Sequence, residues 1–194
     1  MRKHFFLCSS DSRALSALLR ETLGPALAVA GGYITNVISG QSGGELVLLF
    51  PAAAGAGVEG YPGQVIYDST DGSAKKDNEV FRTEGTRLLN EAVYYPYAVL
   101  DRFGGYELVV PQYRQALADL LSSDRPLVGV LFSRSEAYAV GHALGLGERY
   151  EMLVDRLHDA LLQDEDTLLY SVQDGDLSAA SRLLRQWAQE YIYS

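Results

Sequence analysis

Short apolar segments alternate with segments of helical periodicity over the last hundred residues of the chain. Strands are expected at residues 97–101, 127–132 and 167–172, and helices at 112–121, within 135–163 and at 176–191. Repeated strand–helix–strand order produces parallel strands whose connecting helices cover the sheet. The pattern therefore predicts an α/β fold, a three-layer sandwich around a mostly parallel sheet.

The first half of the chain adds a different signal. An apolar strand at 4–8 runs into a helix, and residues 31–50 alternate around a glycine-rich turn, which is typical of a β-hairpin. We expect this hairpin to extend the sheet with antiparallel strands. Residues 51–63 are rich in glycine, alanine and proline and are predicted to form a connection without a regular element. No linker or repeat divides the sequence, so residues 1–194 are predicted to form a single domain.

Charge and cysteine content narrow the classes of partner. The net charge is −9 and the pI is about 4.8, so the chain lacks the cationic field that concentrates DNA. No apolar run approaches the ~20 residues that a membrane-spanning helix needs. Cys8 is the single cysteine, which excludes an intrachain disulfide. We therefore expect a cytoplasmic protein that binds neither DNA nor membrane.

The most specific motif is the segment Leu100–Leu108, which reads L-D-R-F-G-G-Y-E-L. Asp101 follows an apolar strand at its carboxyl end. Taken by itself, such an aspartate is either a ligand for Mg²⁺ beside a nucleotide or an ordinary turn or helix-cap residue. The strand pattern alone leaves both interpretations open.

The segment resembles the Walker B motif of the small P-loop nucleoside-triphosphatases, first described from thermophiles and present in animals as a cancer-related nucleoside-triphosphatase. That family reads I-D-E-I-G-K-M-E-L, which aligns without a gap and shares Asp101, Gly104, Glu107 and Leu108. Upstream, residues 31–35 resemble the family's G-G-F-x-T strand. The resemblance implies a P-loop NTPase fold and Mg²⁺-dependent hydrolysis of a nucleoside triphosphate.

The resemblance also implies positions for the site. Metal ligands would be Ser16 and Asp101, and the catalytic group would comprise Asp101, Arg102 and Glu107. Arg134, which follows the strand 127–132, would contact an anion, although a solvated loop arginine explains it equally simply. The nucleotide-binding loop would be formed by Ser9, Ser10, Asp11, Ser12, Arg13, Ala14, Leu15 and Ser16.

This loop departs from the pattern G-x-x-x-x-G-K-[ST]. Ser9 and Ala14 replace the two glycines and Leu15 replaces the lysine, whereas Ser16 keeps its type. The glycines let successive N–H groups wrap the phosphates, and the lysine neutralises them. Without them, residues 9–13 are predicted to form a tight or extended turn. Arg102 stands where the family has a glutamate, and a guanidinium cannot act as a general base.

Three hypotheses of function follow. The first is a degenerate relative that has lost hydrolysis and acts as a binding or regulatory protein, with weak affinity for a nucleoside triphosphate. The second is an active nucleoside-triphosphatase with a non-standard phosphate loop. The third is an interaction scaffold that presents some of its 13 tyrosines and the 51–63 segment to a protein partner or a second copy. Mg²⁺ is the expected cofactor if nucleotide binds, and none otherwise.

Arg102 is the residue expected to fill the phosphate region with protein charge. It follows the strand that ends at Asp101, so its side chain is predicted to pair with Asp101, Asp11 or Glu107.

Overall fold

The computed structural model describes residues 1–40, 43–56, 62–172 and 176–193. The strands are β1 (His4–Ser9), β2 (Gly31–Ser39), β3 (Glu45–Pro51), β4 (Gln64–Asp68), β5 (Lys75–Lys76), β6 (Ala98–Phe103), β7 (Leu127–Phe132) and β8 (Thr167–Ser171). The α-helices are α1 (Ser12–Leu23), α2 (Asn78–Val80), α3 (Thr86–Ala92), α4 (Pro111–Leu121), α5 (Arg134–Ala143), α6 (Glu148–Gln163) and α7 (Leu177–Tyr191). Short 3₁₀ segments cover Gly24–Val29, Ala52–Ala56 and Tyr106–Val109, and a π-helical turn covers Phe81–Gly85.

All eight strands form one sheet in the order β5-β4-β3-β2-β6-β7-β1-β8. Strands β2, β6, β7, β1 and β8 are parallel to one another, whereas β3, β4 and β5 are added by antiparallel pairing beyond β2. The predicted α/β class, the mostly parallel sheet and the antiparallel addition are confirmed. The parallel strands end at one edge, where β1, β6 and β7 lead into the segments of the motif.

Apolar residues of the central strands alternate between the two faces of the sheet. On one face, Phe5 and Leu7 of β1 pack under α1 and α7, whose largest buried side chain is Trp187. On the other face, Phe6 and Leu100 pack against α3, α4, α5 and α6. The sheet is therefore the middle of three layers, and its apolar positions hold both helix layers by burial.

Helix α1 illustrates how the sequence sets an element beside the site. Asp11 caps it by accepting a hydrogen bond from the N–H of Ala14, and Gly24 ends it in a left-handed conformation with φ of 48°. Leu15, Leu19 and Leu23 form the stripe that is buried against the sheet.

Between residues 52 and 85 the structure shows two details that the sequence did not predict. The helix expected to be interrupted near Gly85 contains the π-helical turn at that position. Residues 52–56 of the predicted irregular connection form a 3₁₀ segment, and residues 57–61 lie outside the described residues. Several tyrosines, Tyr33, Tyr97, Tyr106, Tyr113 and Tyr150, belong to the core rather than to a surface.

Within the part of the chain that the structure describes, none of the helices has the length and apolar character needed to cross a membrane.

Candidate functional site

Strands β1, β6 and β7 bring the motif residues together at the carboxyl edge of the sheet. Ser16 lies on the first turns of α1, and its hydroxyl donates a hydrogen bond to Oδ1 of Asp101. Both side chains are almost completely buried. The structure thus joins the two residues that the resemblance implied as metal ligands, 85 positions apart in the chain.

Thr35 of β2 holds the other oxygen of Asp101. Its backbone N–H donates to Oδ2 at 2.9 Å and its hydroxyl donates to the same oxygen at 3.1 Å. The last backbone pair between β2 and β6 joins Tyr33 and Leu100. Beyond this pair, the side chain of Asp101 connects the two strands by accepting the N–H of Thr35. Asp101 therefore connects α1, β2 and β6. Thr35 is the last residue of the segment 31–35 that carries the family resemblance, but its role in holding Asp101 was not predicted.

These contacts decide how well the residues suit Mg²⁺. Oxygen ligands of the right type are present, but both carboxylate oxygens of Asp101 already accept hydrogen bonds from the protein, and Asp101 has no exposed surface. The described residues also contain no cluster of three or more His, Cys, Asp or Glu side chains that could hold a metal ion. A Mg²⁺ ion at Asp101 would have to displace bonds that join three elements, so this arrangement does not fit a resident ion.

The connection from β1 to α1 is short. Ser10 and Asp11 alone separate the strand from the helix, and the N–H of Asp11 donates to Oγ of Ser9 at 3.2 Å. Among the described residues, Arg102 is the single non-glycine residue with positive φ, so residues 9–13 contain none of the left-handed positions that an anion-binding nest requires. The predicted tight turn is confirmed.

Protein carboxylates surround the start of α1. Oδ1 of Asp11 accepts the N–H of Ala14 at 3.1 Å, and Oε1 of Glu136 accepts the hydroxyl of Ser12 at 2.5 Å. Leu15, in the position of the missing lysine, is completely buried in the core. Helix N-termini attract anions because their N–H groups are unpaired and the helix dipole is positive there. Here, side chains of the chain itself supply that negative charge.

Glu136 was not predicted as a site residue, although the sequence contains a signal for it. Ser133 caps α5 and Glu136 stands three residues later, which is the spacing of a capping box. That motif predicts a carboxylate that turns back to its own helix. Instead the carboxylate of Glu136 reaches across to Ser12, and burial raises its pKa.

Arg102 lies in a β-bulge. Leu100 pairs with Gly129 and Phe103 pairs with Leu131, so β6 has one residue more than β7 between these pairs. Arg102 has φ of 56°, a left-handed conformation that costs roughly 1–2 kcal/mol for a residue with a side chain. Its Nε donates to Oγ of Ser12 at 3.0 Å, and its guanidinium lies 5.0 Å from the centre of the Phe132 ring.

The predicted partners of Arg102 are therefore wrong in detail. The guanidinium reaches the phosphate region, but through Ser12 rather than by an ion pair with Asp101, Asp11 or Glu107, because the bulge turns it toward α1. Burial lowers the pKa of Arg102, and the nearby carboxylates of Asp101 and Glu136 oppose that shift.

Glu107 and Arg134 lie apart from the phosphate region. Oε1 of Glu107 accepts the N–H groups of Gly104 at 2.5 Å and Gly105 at 2.9 Å, so its carboxyl orders the turn after β6. Burial raises the pKa of Glu107 to about 7. Arg134 forms ion pairs with Asp155 and Asp159 of α6, and among the described residues it makes neither a hydrogen bond nor an ion pair with residues 9–16. The remaining loop cation, Arg13, pairs with Glu45 of β3.

Known proteins provide no relative from which a function for this chain could be transferred. Comparisons with protein-family models, with curated protein sequences and with solved structures find no match. The contacts of Asp101, Ser12 and Arg102 are therefore the observations from which a function can be inferred.

Proposed function

We propose that the chain is a divergent relative of the P-loop nucleoside-triphosphatases that no longer hydrolyses nucleotides and acts as a binding or regulatory protein. The observation that carries this proposal is the start of α1. The carboxylates of Asp11 and Glu136 hydrogen bond at the first turn of the helix, where the phosphates of a nucleotide would need to bind.

One contact supports descent from such enzymes. The resemblance implies that Ser16 and Asp101 are ligands of the same metal ion, and in the structure the Ser16 hydroxyl donates a hydrogen bond to Asp101 although β7 lies between β1 and β6. A triphosphate approaching the start of α1 would meet the carboxylates of Asp11 and Glu136, and Leu15 stands where the related family has its lysine. Electrostatic stabilisation is the main contribution that a protein makes to phosphoryl transfer.

The active nucleoside-triphosphatase is the second candidate, and the Ser16–Asp101 contact is the observation in its favour. It would require movement of Asp11 and Glu136 away from α1 and a cation to replace the lysine. Arg13 and Arg102 are the nearest cations, but each already contacts another side chain, Glu45 and Ser12 respectively.

A thermal-shift titration tests the proposal. We expect millimolar Mg-ATP or Mg-GTP to raise the free energy of unfolding by less than ~1 kcal/mol. The stabilisation by a ligand grows with the logarithm of one plus the ratio of its concentration to its dissociation constant, and weak affinity keeps that ratio small. Mg²⁺ without nucleotide is the control. A larger shift that needs both components and is lost in Asp101→Asn would support the enzyme instead.

Arg102→Glu restores the acid that the related family has after its Walker B aspartate. We expect no phosphate release from ATP or GTP above that of the wild-type chain, because Leu15 still replaces the lysine and the new carboxylate adds negative charge beside Glu136. Release of inorganic phosphate is the measurement. Clear turnover by this variant would mean that the nucleotide binds and that Arg102 alone suppresses hydrolysis.

A further inference from the structure

A cavity of about 80 Å³ lies at the carboxyl edge of the sheet, between the antiparallel strands and the turn that follows β6. Its walls are mainly apolar and aromatic, with Val47, Ile66, Phe81, Tyr106 and Phe132 among the lining residues. For comparison, a cavity of about 150 Å³ holds benzene. This space therefore suits an organic group of a few carbon atoms.

Arg102 brings a cation to this apolar space. Its hydrogen bond to Ser12 uses Nε, and the described residues provide neither an ion pair for the guanidinium nor a hydrogen-bond acceptor for its two terminal nitrogens. Arg102 is half-buried, and a cation that lies against apolar walls is normally paired. The arginine is also held in a left-handed conformation by the bulge, and bulges beside functional sites commonly redirect one side chain.

Two carboxyl groups also line the cavity, those of Glu45 and Glu107, and Glu45 is already paired with Arg13. The N–H groups of Gly104 and Gly105 donate to Oε1 of Glu107, and the backbone N–H of Glu107 also hydrogen bonds to this carboxyl. The side chain is 2% exposed, and burial raises its pKa to about 7. Glu107 lines the cavity, and its protonated form adds no negative charge beside a bound anion.

We propose that this cavity binds a small monocarboxylate with a short aliphatic body, whose carboxylate pairs with the terminal nitrogens of Arg102 and whose body contacts Ile66, Phe81 and Tyr106. The forked guanidinium matches the two oxygens of a planar carboxylate. The inference rests on the proposed function, since it names a ligand for a chain that binds rather than hydrolyses.

A phosphate ion suits the cavity less well. It has no apolar part to contact the aromatic walls, and its additional oxygens and charge would face Glu107 with one arginine as counter-ion. The apolar lining therefore distinguishes a carboxylate with a hydrocarbon body from an inorganic anion.

Titration of the ¹⁵N-labelled chain with sodium butyrate, followed by amide chemical shifts, tests the proposal. We expect saturable shifts at Gly104 and Gly105, and a dissociation constant for butyrate at least about tenfold lower than for inorganic phosphate. Arg102→Gln should raise the butyrate dissociation constant about tenfold or more, because it removes the charge-assisted pair. Val140→Phe, which adds bulk at the cavity wall without altering Arg102, should weaken binding similarly.

Arg82→Gln is the matched control. Arg82 is an exposed residue of the π-helical turn, and its guanidinium pairs with Glu79 of α2. This variant should bind butyrate as the wild type does. Absence of saturable shifts, equal affinity for phosphate and butyrate, or unchanged binding by both Arg102→Gln and Val140→Phe overturns the inference. Phosphate release from ATP overturns the proposed function independently of these results. If Arg102→Gln fails to fold, Val140→Phe still decides whether the cavity is the site.

Discussion

The free energy of unfolding is expected to fall by about 3 kcal/mol as the pH rises from 4.5 to 7, through the contribution of Glu107. Its pKa is about 7 in the folded chain, against 4.5 for an unperturbed glutamate. Between these values the folded state keeps a proton that the unfolded state has lost, so the contribution of Glu107 is greatest below pH 4.5 and declines as the pH approaches 7. Each unit of difference corresponds to about 1.4 kcal/mol.

The groups around Glu107 do not titrate in this interval. The pKa values of Tyr33, Tyr106 and Tyr113 lie well above their usual range because these side chains are buried. Burial raises the pKa of Tyr150 as well. Arg102 remains charged throughout. Burial also lowers the pKa values of His4 and His158 and raises that of Glu136, but these groups are common to the wild type and a Glu107 variant. The difference in stability between those two proteins can therefore be assigned to the carboxyl of Glu107.

Urea denaturation of the wild type and of Glu107→Gln across this pH range measures the effect. The glutamine retains an oxygen for the N–H groups of Gly104 and Gly105 but does not titrate, so the difference between the two proteins should depend on pH as stated. Glu21→Gln, at an exposed position of α1, should keep the wild-type pH dependence. Parallel curves for wild type and Glu107→Gln would contradict the assignment.

Much of the fold could be predicted from the sequence because the main elements have simple periodicity. The apolar runs that became β1 and β7 can be satisfied only by burial on both faces, and the leucines of α1 repeat with the helical period. The resemblance implied that Ser16 and Asp101 lie together as metal ligands, and the structure brings the two side chains together through a hydrogen bond. This contact depends on strand order, which the alternation of strands and helices restricts strongly.

The direction of Arg102 and the partner of Glu136 could not be predicted. The bulge between Leu100 and Phe103 is defined by the pairing of β6 with β7. The local sequence L-D-R-F does not predict that β6 has one residue more than β7 at this point. Glu136 has a local signal for capping, but tertiary contact with Ser12 overrides it. The cavity was missed for the same reason, since its walls come from strands and helices distant in the sequence.

Asp101→Ala is expected to lower the free energy of unfolding by about 3–5 kcal/mol. The substitution removes the acceptor of three hydrogen bonds and leaves the N–H and hydroxyl of Thr35 and the hydroxyl of Ser16 buried without a partner. Each unsatisfied buried group costs about 1–3 kcal/mol, and loss of one member of a buried charged network costs about 3–5 kcal/mol.

Asp101→Asn separates this structural role from a catalytic one. Its side-chain oxygen can still accept both bonds from Thr35, and its amide can donate to the hydroxyl of Ser16, so the expected cost is about 1 kcal/mol. Chemical denaturation measures both variants, with Asp119→Ala at an exposed position of α4 as the control. Equal losses for the alanine and asparagine variants would show that charge rather than hydrogen bonding matters at this position. An acid that is worth several kcal/mol to the fold has a structural reason to stand at position 101 that is independent of any nucleotide.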